Sequence, residues 1–313
     1  MSKSNLTNHI KELILKNNND SRLEKQFILD ENNERNDTIN SLDDVAGDHG
    51  INRIKGLYHR YPSKVLIFPT QKCVSCCRFC FRKNIKTEEE ITESDFEKIV
   101  EYISGDNKIT EVIFSGGDPF AMEQQKLLNM IDRIKQIEHV VITRIHTRVL
   151  TCEPNLVNEK FVEKIKIGIP TYMVLHVNSH LEITDAFKEK VKLLTDNGIM
   201  CFSQTALLKD VNDNYDDLSS LFIELIKIKV KPYYLFHPDR VKGTGHFYIS
   251  LKRGKQLYNS LFNRISGLAM PIYLFNVPGG YGHCIIGSDN VVKHENEYII
   301  KTWDNQEVSY QEP

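Results

Sequence analysis

The chain has 313 residues, 41% hydrophobic and 26% charged, with a formal net charge of -2. That balance lacks the basic surplus of a nucleic-acid binder, and no apolar run approaches the roughly 20 residues of a membrane span. The N-terminus lacks the apolar core of a secretory signal, so the cytoplasm is the expected address, with neither nucleic acid nor membrane as a partner.

Residues 1–55 are polar and rich in Asn, Asp, Glu and Lys, and form the first expected unit, a helical N-terminal extension. Within it Leu6, Ile10, Leu13 and Ile14 share one helical face. Residues 32–50 read as a loose connection. From residue 64 short apolar runs alternate with longer amphipathic ones. Strands are expected at 64–70, 111–115, 140–147, 171–177, 200–206 and 231–236, with helices near 93–104, 123–137, 155–167, 184–197, 214–228 and 251–266. Strict alternation of six such units predicts an α/β fold with a parallel sheet and helices outside, curling into a partial (β/α)6 barrel. This barrel occupies 56–270. A short C-terminal β segment, 271–313, carries strands at 272–276 and 298–301 around a Gly-rich loop and is expected to close the active site.

Polar residues gather where these strands end. Cysteines follow the first, Ser115, Gly116, Gly117 and Asp118 the second, and Arg148 the third. His176 and Asn178 lie at the fourth, Gln204 on the fifth, and His237 and Asp239 after the sixth. The C-terminal ends of parallel strands form one face, and that face carries active sites.

Seven cysteines, an odd number, argue against a disulfide framework. Four fall in one stretch, Cys73-Val-Ser-Cys76-Cys77-Arg-Phe-Cys80. A four-cysteine zinc site would need adjacent Cys76 and Cys77 on one ion, against the usual C-x2-C pairing. A CxxxCxxC loop instead offers three thiolates, Cys73, Cys77 and Cys80, to a [4Fe–4S] cluster. One iron is then left open for a substrate.

With this loop the chain resembles the radical SAM superfamily. His59-Arg60-Tyr61-Pro62, Phe81-Arg82-Lys83, Ser115-Gly116-Gly117-Asp118, Lys231-Pro232-Tyr233-Tyr234, Pro278-Gly279-Gly280 and Tyr310-Gln311-Glu312-Pro313 are similar to the lysine 2,3-aminomutase family. The likeness runs from about residue 55 to the end. It implies a [4Fe–4S] cluster that cleaves S-adenosylmethionine (SAM) to a 5′-deoxyadenosyl radical, an amino acid substrate, and a reductant such as flavodoxin or ferredoxin. A homo-oligomer is compatible with it.

Residue by residue, the resemblance implies that Ser115, Gly116, Gly117 and Asp118 hold the methionine end of SAM, with His176 and Gln204 beside it. Arg82 matches the arginine that grips a substrate carboxylate. Asp239 matches one of two distal aspartates, and Asn276 replaces the second. Arg60 and Lys64 match phosphate-binding positions for pyridoxal phosphate. The family's Schiff-base lysine aligns with His283, and imidazole cannot form that imine, so covalent pyridoxal phosphate is not expected. The family's structural zinc is not expected either, because Asn214 stands where its cysteine ligand follows Val211-Asn212-Asp213.

Two reactions follow as expectations. One is aminomutase-like isomerisation. The other is pyridoxal-phosphate-independent epimerisation of an amino acid, with a cysteine returning hydrogen. Cys284, beside His283, is the preferred donor, and Cys152 and Cys201 are the other thiols. A non-enzymatic iron–sulfur or zinc binding module is the reading from a different class.

Overall fold

A computed structural model of the chain describes residues 6–35, 41–85, 89–295 and 297–312. Helices α1 (Asn8–Lys16), α2 (Ser21–Phe27), α3 (Glu31–Arg35) and α4 (Asp48–Ile51) lead into β1 (Asn52–Ile54), β2 (Leu57–Tyr61) and β3 (Lys64–Thr70). Then β and α elements alternate: α5 (Glu93–Ser104), β4 (Glu111–Gly116), α6 (Gln124–Lys135), β5 (Ile142–Thr147), α7 (Val149–Cys152), α8 (Glu159–Ile165), β6 (Thr171–His176), α9 (Asp185–Asp196), β7 (Cys201–Ala206), α10 (Tyr215–Lys227), β8 (Val230–Phe236), α11 (Leu251–Leu261) and β9 (Ile272–Val277). The chain ends in β10 (Gly282–Ile285), β11 (Val291–His294), β12 (Glu297–Lys301) and β13 (Glu307–Tyr310).

Strands β1 to β10 form one sheet in sequence order. From β3 to β9 every neighbour is parallel, while β1–β2–β3 and β9–β10 pair antiparallel at the two edges. An unbroken parallel order with a helical crossover at each step winds in one direction and curls. The result is the partial α/β barrel that the alternation predicts. A parallel strand beyond the expected six, β9, continues it, since Tyr234, Leu235 and Phe236 pair with Ile272, Tyr273 and Leu274. The barrel stays open between its edges, which a hydrogen bond from the His283 backbone N–H to the Tyr61 hydroxyl (2.9 Å) brings together.

Local sequence explains the helices. Thr92 and Asp95 form a capping box on α5, and Asn158, Thr184, Asn214 and Ser250 cap α8, α9, α10 and α11 by accepting from backbone N–H groups. Each helix buries an apolar stripe, such as Phe96, Ile99 and Ile103, against the outer sheet face. The helix expected over 155–167 is shorter because Pro154 opens a separate 3-10 turn and the Asn158 cap starts α8 afresh. The start of β5 at Ile142 leaves Val140 and Val141 in the preceding turn.

The N-terminal helices form a second apolar cluster. Ile10, Leu13, Ile14, Leu23 and Phe27 pack with Cys152 of α7. A three-stranded antiparallel sheet, β11–β12–β13, covers the far edge and buries Tyr298, Ile300 and Tyr310 in the main core. No helix among the described residues is long and apolar enough to cross a membrane.

Candidate functional site

The C-terminal ends of the parallel strands open into a cavity of about 900 Å³. The loop after β3 forms one wall. Its four thiols, Cys73, Cys76, Cys77 and Cys80, are half-buried, free of disulfides and line this cavity. The loop is tied down where it leaves the strand and again in its middle. Gln71 N–H donates to Glu89 O (2.9 Å) and Arg78 N–H to Gln26 O (2.9 Å). Arg78 also forms a buried ion pair with Glu34, with Nε 2.6 Å from Oε1, and Lys83 Nζ reaches the same carboxylate at 2.9 Å. The extension thereby clamps the outer side of the cysteine loop.

Arg148, at the end of β5, clamps the inner side. It donates to Cys77 Sγ (2.8 Å), Gln26 Oε1 (2.6 Å) and Glu182 Oε2 (3.3 Å), and lies over the rings of Phe27 and Phe79. A buried cation against a sulfur favours the thiolate, the form that binds metal. Among the described residues no three His, Cys, Asp or Glu side chains could hold a single metal ion. Three thiols in C-x3-C-x2-C spacing beside a fixed guanidinium are a donor set that fits an iron–sulfur cluster with one iron left open.

The Gly-Gly-Asp turn lies directly beneath. Gly117 N–H donates to Thr70 O (3.0 Å) and Asp118 N–H to Lys72 O (2.8 Å). A Cβ on Gly117 would lie 2.0 Å from Lys72 O and 2.4 Å from Gln71 O, so only glycine lets these backbones touch. Gly116 takes a φ of +104°, a second position suited to glycine. Asp118 is buried, and its carboxylate accepts from Thr147 Oγ1 (2.8 Å), Arg148 N (2.8 Å) and Phe120 N (3.0 Å). Its oxygens are thus committed to joining β4 to β5. Ser115, Gly116 and Gly117 line the cavity beside it.

His176 and Gln204 stand side by side, paired in register on β6 and β7, and both face the cavity. His176 Nε2 lies 3.1 Å from Asn178 Oδ1, and its ring meets Phe79 edge-on at 5.4 Å. Burial and then the charge of Arg148 push its pKa down to about 3, so it works as a neutral imidazole.

At the opposite end, Asn276 Nδ2 donates to both oxygens of Asp239 at 3.0 and 3.1 Å. Burial raises the Asp239 pKa to about 7, offset in part by that hydrogen bond and by Arg82. Arg82 lies between the rings of Phe68 and Phe81 at 4.6 and 4.2 Å, and its Nε donates to the buried Asp48 carboxylate at 2.6 Å. Its fork, expected to grip a substrate carboxylate, thus already carries an internal one. Arg60 donates to the Ala46 carbonyl, and Lys64 sits over the Tyr61 ring at 4.7 Å.

His283 lines the cavity, cupped by Tyr61, Phe236 and Tyr234. The side chain is exposed to the cavity, where desolvation by the surrounding walls and then the charges of Arg60, Lys64, Arg144 and Arg82 push its pKa down. Cys284 does not share that wall. Successive residues on a strand face opposite ways, and Cys284 is buried on the other side of β10 near the carbonyls of Ile285, Asn290 and Lys301. The geometry therefore does not bring the expected hydrogen donor to the cavity. Cys201 lies buried at the start of β7, whereas Cys152 lines the cavity near Arg148 and Cys77.

Pyridoxal phosphate does not fit these residues. The position of the imine-forming lysine is held by His283, which cannot form that bond, and Arg60, one of the two expected phosphate ligands, donates to the Ala46 carbonyl.

Sequence reasoning missed Asp48, Arg144 and His146, all of which line the cavity. Asp48 meets its partner only through the fold. Arg144 and His146 carried a readable signal: they alternate with buried Thr143, Ile145 and Thr147 along β5 and so share its inward face.

Comparison with known proteins agrees with this geometry. Residues 67–221 match the radical SAM superfamily. The chain is 35% identical over 262 residues to a putative L-lysine 2,3-aminomutase of Aquifex aeolicus, covering 82% of this chain and 71% of that protein. It is 33% identical to the L-lysine 2,3-aminomutase of Methanococcus maripaludis over 92% of this chain and 66% of the relative. It is 30% identical to the glutamate 2,3-aminomutase of Clostridioides difficile over 86% of this chain and 64% of the relative. The chain thus spans about two thirds of these relatives' length. Among solved structures, SuiB of Streptococcus suis bound to S-adenosylmethionine superposes with a TM-score of 0.52 at 16% identity, over 69% of this chain and 51% of that one. The anSMEcpe structure with bound AdoMet and Cp18Cys peptide gives 0.53 at 11% identity, over 65% and 60%. These two share the fold. Cysteine loop, glycine turn and overall identity converge, and the chain belongs to the lysine 2,3-aminomutase family of the radical SAM superfamily, a family of isomerase enzymes whose superfamily membership implies a [4Fe–4S] cluster and SAM.

Proposed function

We propose that this chain cleaves SAM reductively and uses the resulting radical for aminomutase-like isomerisation of an amino acid. The observation that carries this is the CxxxCxxC loop, clamped by Arg148 and seated on the Gly117 turn at the mouth of a strand-end cavity. Cys73, Cys77 and Cys80 would hold the cluster, which would supply the one electron that reductive cleavage of SAM requires.

The protein's own residues hold the partners. Gly116 and Gly117, lacking side chains, let the end of β4 pack against the cysteine loop, which puts their turn on the cavity wall beside a bound ligand. Neutral His176 and the Gln204 amide offer hydrogen bonds without adding charge near the sulfonium. Arg148 holds Cys77 in place. Asp239, close to half-ionised at neutral pH, releases its proton when a cationic group docks against it and then pairs with that group.

Epimerisation is the second reading, favoured by His283 in place of lysine and by the cavity-lining Cys152 thiol, which burial keeps protonated. The test is anaerobic. Reconstituted protein receives dithionite, SAM and a mixed amino-acid pool in deuterated water, and products are read by mass spectrometry. A β-amino acid with little solvent label supports isomerisation. Deuterium at the α-carbon, lost on Cys152→Ala but kept on Cys284→Ala, supports the epimerase. Absence of 5′-deoxyadenosine sinks both.

A further inference from the structure

Two buried polar side chains meet on Arg148 from distant parts of the chain. Gln26 comes from α2 of the N-terminal extension, and Glu182 from the 3-10 turn His180–Glu182 that follows β6. Both have a solvent exposure of 0%. Arg148 Nη2 donates to Gln26 Oε1 at 2.6 Å and to Glu182 Oε2 at 3.3 Å, while Nη1 donates to Cys77 Sγ at 2.8 Å. The two acceptors are tied to each other, since Gln26 Nε2 donates to Glu182 Oε1 at 3.0 Å.

Each is also held from a further side. Gln26 Nε2 donates to Arg22 O, and Gln26 Oε1 accepts from Asn178 Nδ2, both at 3.0 Å. Glu182 accepts from Thr151 Oγ1 at 3.2 Å and Asn178 N at 3.3 Å. The Gln26 amide is therefore used in full. The reverse orientation would set donor against donor at Arg148 and Asn178, and acceptor against acceptor at Arg22 O and Glu182. The Gln26 backbone meets the cysteine loop as well, where Arg78 N–H donates to Gln26 O at 2.9 Å.

A buried carboxylate is costly unless paired and hydrogen-bonded, and Glu182 is both. Its charge is weakly screened in this interior and acts on the same guanidinium that touches Cys77. A cation at the sulfur favours the more negative, reduced state of a cluster, and an anion behind that cation takes part of the effect back.

We propose that both residues act on the iron–sulfur cluster through Arg148: Gln26 is a positioning residue that holds the guanidinium on Cys77, Glu182 cancels part of its charge, and the N-terminal extension thereby helps set the cluster's reduction potential. The proposal rests on Cys77 being a cluster ligand, and its test does not depend on SAM cleavage.

The two roles predict shifts of opposite sign. Glu182→Gln keeps the shape, removes the charge and leaves Gln26 holding the guanidinium, so the potential rises. Gln26→Leu keeps the volume and the backbone bond to Arg78 but removes the acceptor at Nη2. The guanidinium is then drawn to Glu182 and off the sulfur, so the potential falls.

The experiment is an anaerobic redox titration of the reconstituted full chain without SAM, read by the electron paramagnetic resonance signal of the reduced cluster. At a fixed potential, Glu182→Gln should raise the reduced-to-oxidised ratio about threefold or more, and Gln26→Leu should lower it by a similar factor, about 30 mV for one electron. Placed on Arg148→Gln, Gln26→Leu should keep less than about half of its own shift, because its route to the cluster is gone. Iron content and circular dichroism confirm that each variant is folded and loaded. An unchanged or lower potential in loaded Glu182→Gln overturns the proposal, as does a Gln26→Leu shift that is absent or equally large on Arg148→Gln. Where Glu182→Gln takes up no iron, the two Gln26→Leu measurements decide. A wild type that takes up no cluster overturns this proposal together with the reading above, whereas unshifted potentials in variants that still form 5′-deoxyadenosine overturn this proposal alone.

Discussion

Replacing Asp239 by Asn should change how stability depends on pH. The carboxyl lies deep in the barrel, its small accessible surface facing the cavity, and both oxygens accept from Asn276. Burial raises its pKa from 3.8 to about 7. In the unfolded chain the group ionises near pH 4, whereas in the folded chain it keeps its proton to about pH 7. Between those values the folded state binds one more proton, so stability falls as pH rises. The stabilising contribution is complete below the unfolded pKa and is gone above the folded one. Three pH units at about 1.4 kcal/mol each amount to roughly 4 kcal/mol. An amide does not titrate, so the variant should lack this slope. Anaerobic urea denaturation at pH 5 and pH 8 measures it. Wild type should lose about 3 kcal/mol more than Asp239→Asn over that interval, because the step below pH 5 lies outside it. Equal losses in the two proteins would refute the buried, proton-holding carboxyl.

Gly117→Ala should be severe for a local reason. Its Cβ would meet two carbonyl oxygens of the cysteine loop, the nearer at 2.0 Å, and neither backbone can yield without moving that loop. A loss of about 3 kcal/mol, read by thermal melting, and a fall in bound iron are expected together; native melting and iron content would count against the contact. Arg148→Gln should lower the reduction potential of the bound cluster by tens of millivolts, because a positive donor 2.8 Å from Cys77 Sγ favours the more negative, reduced state. Anaerobic redox titration checks this, and an unchanged potential in a folded, iron-loaded variant would show that the guanidinium does not reach the cluster.

The parts of the fold that could be read from sequence are those governed by local periodicity. The strand expected at 64–70 is β3, and the apolar runs at 111–115 and 171–177 fall within a residue of β4 and β6, because fully buried parallel strands are apolar throughout and end at a polar turn. Helix starts such as Thr92, Thr184 and Asn214 are signalled by cap chemistry alone. Strands β1, β10, β11 and β13 are three or four residues long, antiparallel and partly exposed, too short for alternation to stand out. The site divides the same way. Residues at strand ends could be placed because topology collects them on one face. The Arg82–Asp48 pair could not, since it joins positions 34 apart through a segment with no periodic signal. Cys284 was read by its adjacency to His283, yet adjacency on a strand places two side chains on opposite faces.

The position of β10 also decides how a barrel this open encloses its cavity. Among the described residues its two sheet edges are not hydrogen-bonded strand to strand. The gap is crossed by the Tyr61–His283 bond and the Gly47–Gly280 contact, with Arg60 holding Ala46 alongside. Backbone conformation favours glycine on both sides of that contact, since φ is +63° at Gly47 and +86° at Gly280, and a Cβ on Gly47 would lie 2.5 Å from Gly280 Cα. The same short segment delivers the Asp48 carboxylate to Arg82. Closing the barrel and engaging its arginines are therefore one structural act. A change that opened the Gly47–Gly280 seam would also loosen the charges that line the cavity, so enclosure and recognition have to change together.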